Sequence, residues 1–187
     1  MRITGGQARG IPLKTPKQGE IRPATDYLRQ AVFSSLAATV PGTRVLDLFA
    51  GSGAYGLEAL SRGAASAVFV EKDRGCLACL KTNLAATAKS LRISEDVAQI
   101  DGRDVLRWPP TAGFDLIFAD PPYALWNDQT AVMATLLGQL AGLCPAACFV
   151  LEAPGNEEPR PGPGFCLRKR IGKGATQPAA WIFGHGE

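Results

Sequence analysis

Apolar residues in this chain follow two alternating rhythms. Five short runs, VLDLF (45–49), AVFV (67–70), VAQI (97–100), FDLIFA (114–119) and ACFVL (147–151), are β-prone and bounded by turn residues. Such runs predict strands buried on both faces. Between them apolar residues recur at helical spacing and predict helices over 54–62, 73–89 and 128–141. A further helix is predicted over 26–39 from Leu28, Val32, Ser35, Leu36 and Thr39, with Arg29 and Gln30 turned away from the core. Strands alternating with helices give an α/β fold, an open and mostly parallel sheet covered by helices on both faces. Near the end, 164–171 and 179–183 are β-prone and predict an antiparallel hairpin at the sheet edge, bringing the sheet to seven strands. The Gly-, Pro- and Lys/Arg-rich start, residues 1–24, predicts a small β-hairpin arm ahead of a domain over 25–187.

Composition narrows the chemistry. A chain of 187 residues, 46% of them hydrophobic, suits one domain with a core that needs no disulfide or metal staple. No apolar run is long enough to span a bilayer, and the first residues lack a signal-peptide stretch, so a cytoplasmic protein is expected. A monomer is expected as well, although the sequence says little about oligomeric state. The single histidine, His185, argues against a Ser-His-Asp triad or a histidine metal site. Of five cysteines only Cys76 and Cys79 form a C-x-x-C, so buried thiols rather than metal ligands are expected.

The formal net charge of +3 hides a division: residues 1–44 sum to +5, 45–159 to −6 and 160–187 to +4. Basic ends around an acidic middle fit a polyanion partner gripped around a different kind of site. A solvated surface with chance asymmetry fits equally well on charge alone.

The first predicted strand runs into DLFAGSGAYG (47–56), whose glycines allow a sharp turn and close approach to a ligand. Glu71 lies twenty residues after Gly51, at the end of the next strand, where an acid can accept hydrogen bonds from a ribose. Loop and acid together indicate a nucleoside-containing cofactor, NAD or S-adenosylmethionine. Two features favour S-adenosylmethionine. Asp47, just ahead of the glycines, is awkward beside a pyrophosphate but suits a cationic amino end. Further acids (Glu71, Asp101 or Asp104, Asp120) fall at successive strand ends, where open α/β sheets bind ligands.

Asp120, Pro121, Pro122 and Tyr123 follow the fourth strand. Two prolines fix the backbone and remove two N–H donors, leaving the Asp120 side chain and a Pro-Pro carbonyl as rigid acceptors for a planar exocyclic amine. Tyr123 adds a face for stacking on a base. Holding the amine against an electrophilic methyl group needs positioning rather than a covalent intermediate. This suits a chain without a catalytic histidine.

The glycine loop with the D-P-P-Y turn resembles the amino-methyltransferases of the Rossmann-like class I fold. MRITGGQARGIPLK (1–14), RPATDYLRQAVF (22–33), 45–63 and FVEKD (69–73) are similar to the RsmD-type ribosomal RNA guanine-N2 methyltransferases. The resemblance is close over 1–123 and looser beyond. It implies methylation of the exocyclic N2 of one guanine in 16S ribosomal RNA, naked or within an assembling or assembled small subunit. It implies that Asp47, Phe49, Gly51, Ser52 and Gly53 hold the methionine part of S-adenosylmethionine and that Glu71 takes the ribose. Lys72 would lie beside the adenine, and Asp104, with Asp101 as fallback, would contact its amine. The base would be received by Asp120–Tyr123, and RNA phosphates met by Arg2, Arg9, Lys14, Arg22, Arg29 and Lys173, with 168–170. Ala24, Gln30 and Ser34 depart from the usual Thr, Glu and Asn. Adenine-N6 methylation of DNA or RNA shares the D-P-P-Y chemistry and stands as the alternative; an NAD oxidoreductase or a catalytically silent RNA-binding assembly factor are further readings.

Overall fold

A computed structural model describes residues 1–16, 24–128, 130–172, 174 and 177–186. Its strands are β1 (Arg44–Leu48), β2 (Ser66–Val70), β3 (Ala98–Asp101), β4 (Leu116–Ala119), β5 (Cys148–Pro154), β6 (Phe165–Ile171) and β7 (Pro178–His185). They form one seven-stranded sheet in the order β3-β2-β1-β4-β5-β7-β6. β3 through β5 pair in parallel, and β7 inserts antiparallel between β5 and β6. The α-helices are α1 (Ala24–Ser35), α2 (Ala54–Ser61), α3 (Arg74–Leu91), α4 (Tyr123–Asp128) and α5 (Thr130–Leu143).

Alternation along the strands feeds two cores. Val45, Phe69, Phe118 and Val150 pack with residues of α1, α2 and α3 on one face, while Leu46, Ile117, Phe149 and Leu151 pack with α4 and α5 on the other. This double burial is why β1, β4 and β5 read as nearly continuous apolar runs. Strand order reverses at β1, which pairs with β2 on one side and β4 on the other. Such a switch point opens a crevice at the carboxyl ends of the strands.

Three features add to or change the expectations. Among the described residues the arm pairs as the expected short hairpin: Ile3 N–H donates to the Ile11 carbonyl (3.0 Å), Leu13 N–H to the Met1 carbonyl (3.0 Å) and Gly10 N–H to the Ile3 carbonyl (2.9 Å), around an antiparallel bridge of Arg2 with Pro12. It does not stand apart from the domain but is pinned to the end of α2, where Gln7 N–H donates to the Ser61 carbonyl (2.8 Å) and Ala8 N–H to the Ser61 hydroxyl (2.9 Å). Gly6 makes this approach possible, with φ +78° and a Cβ position that would fall 2.0 Å from the Ser61 carbonyl oxygen. Ile3, Ala8 and Leu13 are buried in the first core. Second, α1 stops at Ser35, where the Ser34 and Ser35 hydroxyls donate back to the Gln30 and Ala31 carbonyls. Third, a short helix, α4, follows Pro122 directly; proline is well tolerated where a helix begins because that N–H has no helical partner.

Candidate active site

The carboxyl ends of the parallel strands open into a cavity of about 860 Å³. The glycine loop, Glu71, Lys72 and Asp104 line it toward β2 and β3; Asp120, Pro121 and Pro122 line it beyond β4. Of the sequence-predicted cofactor and base residues, Asp47, Phe49, Gly51, Ser52, Glu71, Lys72, Asp104, Asp120, Pro121 and Pro122 therefore share one space, while Gly53 lies behind its wall.

The loop between β1 and α2 is held from several sides. Phe49 adopts φ +57°, a left-handed conformation unusual for a non-glycine residue and common where a functional turn is over-determined by its surroundings. Gly51 N–H donates to Glu71 Oε2 (2.8 Å), and Asn83 of α3 donates to the Ser52 carbonyl (2.9 Å). Gly53 caps α2 with φ +87°, and a Cβ there would lie 2.3 Å from Leu80. Glu71 Oε1 also accepts the Asp73 N–H (2.8 Å), so this acid organises the loop as well as facing the cavity.

Asp47 sits on β1 with 3% exposure. Its Oδ2 accepts the Gly56 N–H at 2.8 Å, satisfying an orphan donor in the first turn of α2. Burial pushes its pKa up to about 7; the Gly56 bond opposes this, and the charges of Asp120 and Glu71 add to it. A ligand bearing positive charge would favour the ionised form.

The two candidates for the adenine end separate. Asp101 is occupied by Arg103 (2.5 Å) and by the Trp108 indole N–H (3.0 Å), which hold its pKa low. Asp104 lines the cavity, accepts from Lys72 Nζ at 2.9 Å, and is lowered chiefly by that bond. Beyond β4, Asp120 is exposed and Pro121 buried. The Pro122 carbonyl accepts the Leu125 N–H (2.9 Å) in α4, so it is already engaged. Tyr123 opens α4, and its side chain lies outside the described residues.

Arg2, Arg9 and Lys14 are exposed on the arm, as expected for phosphate contacts. Arg22 and Lys173 lie outside the described residues. Arg29 is corrected: it does not turn away from the core and is only 1% exposed. Its guanidinium donates to Asp26 (2.9 Å), the Arg2 carbonyl (2.5 Å) and Glu58 (3.4 Å). Glu58 has no exposed surface, and a buried acid of this kind requires a cation beside it.

Three residues that meet at the site carry no role in the sequence analysis. The Tyr55 hydroxyl donates to Glu152 Oε1, and the Trp126 indole N–H donates to the Glu152 carbonyl at 3.2 Å. Glu152 and Tyr55 both line the cavity. Applying the strand-end argument to the fifth run, ACFVL followed by Glu152, would have found the acid.

The pattern of the family described as conserved hypothetical protein 95 matches residues 1–179. The chain belongs to this family. Its relatives include ribosomal RNA small subunit methyltransferase D of Escherichia coli, 38% identical over 125 residues. That match covers 66% of this chain and 60% of the relative's length. The protein of the same name from Haemophilus influenzae is 35% identical over 156 residues, 81% of this chain and 78% of the relative. Among solved structures, "Putative methyltransferase yhhF" from Escherichia coli superposes with a TM-score of 0.79 at 30% identity, covering 99% of this chain and 97% of that one. The α/β fold read from the sequence is thus a Rossmann-like class I methyltransferase fold.

Proposed function

We propose that this protein methylates the exocyclic N2 amine of a guanine in 16S ribosomal RNA, using S-adenosylmethionine, within an assembling or assembled small subunit. The observation that carries the proposal is the shared cavity in which Asp47, Glu71 and Asp104 face Asp120 and Pro121. Its acids suit a sulfonium and an ammonium, and a Cβ at Gly51 would meet nothing nearer than the Phe49 carbonyl at 4.0 Å, leaving room for close ligand approach. The residues therefore fit the cofactor that the family implies.

Bound there, S-adenosylmethionine supplies a methyl group on an electron-poor sulfur. Asp47 and the backbone of Gly51, Ser52 and Gly53 orient the methionine end, Glu71 accepts from the ribose hydroxyls, and Asp104 with Lys72 borders the adenine. Asp120 and the Pro121 carbonyl accept the two N2 hydrogens, which aims the nitrogen lone pair along the line of attack. Asp120 also offers a carboxylate to the proton that the alkylated amine must lose. The motif assigns Tyr123 the stacking face. Positioning of this kind is worth up to roughly 7–11 kcal/mol.

The test incubates the protein with methyl-labelled cofactor and either deproteinised 16S RNA or small-subunit particles lacking the modification, followed by mass spectrometry of the nucleosides. N2-methylguanosine supports the proposal. N6-methyladenosine would replace it with the adenine alternative, and unmodified RNA in both substrates would reject it.

A further inference from the structure

Glu152 stands beside Asp120. In the β4–β5 ladder Ala119 pairs with Leu151, and each acid lies one residue further along. Neighbouring strands run about 5 Å apart, so Asp120, just past the end of β4, lies next to Glu152 in β5. Alternation places Glu152 on the same face as Val150, opposite Leu151 and Ala153, and Asp120 on the same face as Phe118. Glu152 is only 5% exposed, yet it borders the cavity together with Asp120 and Pro121.

Its position is fixed from both helical layers. From α2, the Tyr55 hydroxyl donates to Oε1, and the Tyr55 ring stacks on Phe118 with centroids 4.8 Å apart. From α4, Trp126 donates to the Glu152 main chain. Burial and the Glu152 charge keep Tyr55 protonated, so it remains a donor.

A purine whose N2 amine meets Asp120 and Pro121 presents its N1 position next along the same edge. Guanine carries a proton at N1; 2,6-diaminopurine has the same N2 amine but a lone pair at N1. A fixed carboxylate accepts from the first and repels the second. We propose that Glu152 is a specificity-determining residue of this site, accepting the N1–H of the target guanine and rejecting purines whose N1 is an acceptor. The inference rests on the N2-amine reading above.

The experiment places guanine or 2,6-diaminopurine at the methylated position, once mapped, in an RNA substrate, and compares kcat/KM for the wild type, Glu152→Gln and Tyr55→Phe. S-adenosylhomocysteine affinity is measured alongside by calorimetry. The wild type is expected to prefer guanine by about 100-fold or more, since a site built around one hydrogen bond rejects analogues lacking it. Glu152→Gln, whose amide can donate to a bare N1, should bring that ratio close to one while holding the product affinity within about threefold. Tyr55→Phe should slow guanine methylation while retaining the preference. An unchanged ratio in Glu152→Gln overturns the inference, as does product affinity falling in step with activity. Should that variant not fold, a wild type that methylates both purines equally overturns it. Failure of the functional reading itself shows separately, as a wild type that makes no N2-methylguanine, and removes the inference with it.

Discussion

Asp47 shows how one side chain can serve the fold and the ligand with opposite preferences. Its folded pKa of about 7 lies above the ordinary value of 3.8 because burial disfavours the charge. The sign follows from linkage: a raised carboxylate pKa means that the folded state holds the proton more tightly than the unfolded chain. The stabilising contribution is complete below about pH 4 and is lost as pH rises through about 7. Melting of the ligand-free protein should therefore show a decline over this window that is absent in Asp47→Asn. Cofactor binding should run the other way. A cationic amino end favours the ionised carboxylate, so S-adenosylhomocysteine affinity should rise between about pH 6 and 8 and then level. Asp47→Asn should bind about tenfold or more weakly, in line with loss of a charge-assisted hydrogen bond, and with a flat pH profile. Calorimetry across pH measures both; a sloping profile in the variant would assign the titration to another group.

The arm, α1 and α2 are joined at Glu58. Its oxygens accept the Thr4 N–H and hydroxyl (both 2.7 Å), Arg62 Nε (2.9 Å) and Arg29 Nε (3.4 Å). Removing the acid would leave the buried Arg29 with Asp26 as its carboxylate partner but strip Thr4 and Arg62 of their acceptor, so Glu58→Ala should destabilise by about 1–3 kcal/mol, read as a fall in denaturation midpoint. Glu58→Gln, which keeps acceptor capacity, should cost less. If both variants melt like the wild type, the knot is structurally idle. This junction was not legible in the sequence, because Arg29 and Glu58 are 29 positions apart and periodicity treats any charge as outward-facing. The strands were legible because double burial leaves runs such as LIFA with no polar position. The α4 helix was hidden because Asp-Pro-Pro reads as a turn, yet proline also suits the entry to a helix. Glu71 and Asp120 were found by a rule about strand ends; Glu152 obeys the same rule but lacks a motif around it.

The division of charge acquires a geometry once the ends of the chain are placed. Met1, Thr15 and Pro16 border the cavity, so the basic arm reaches its rim. β7 begins at Pro178, which pairs with Pro154 at the end of β5 and lines the cavity. Arg168, Lys169 and Arg170 are exposed along β6, an edge strand. Such charges also guard an open edge against pairing with another sheet, so exposure there has two explanations. On the arm the second explanation is weaker, because Arg9 and Lys14 lie outside the short pairing of residues 1–3 with 11–13 and only Arg2 lies within it. Every phosphate that goes unneutralised reduces the slope of log K against log salt by about 0.9 on duplex-like RNA and about 0.7 on single strands. Substituting Arg2, Arg9 and Lys14 together by alanine should lower the slope for 16S RNA by roughly 2–3 while leaving S-adenosylhomocysteine binding unchanged. Asp120→Ala should do the reverse, abolishing methyl transfer with the salt slope intact. Filter binding at several salt concentrations separates the two: if the triple variant keeps its slope, the arm is a structural brace on α2 and the RNA is held elsewhere.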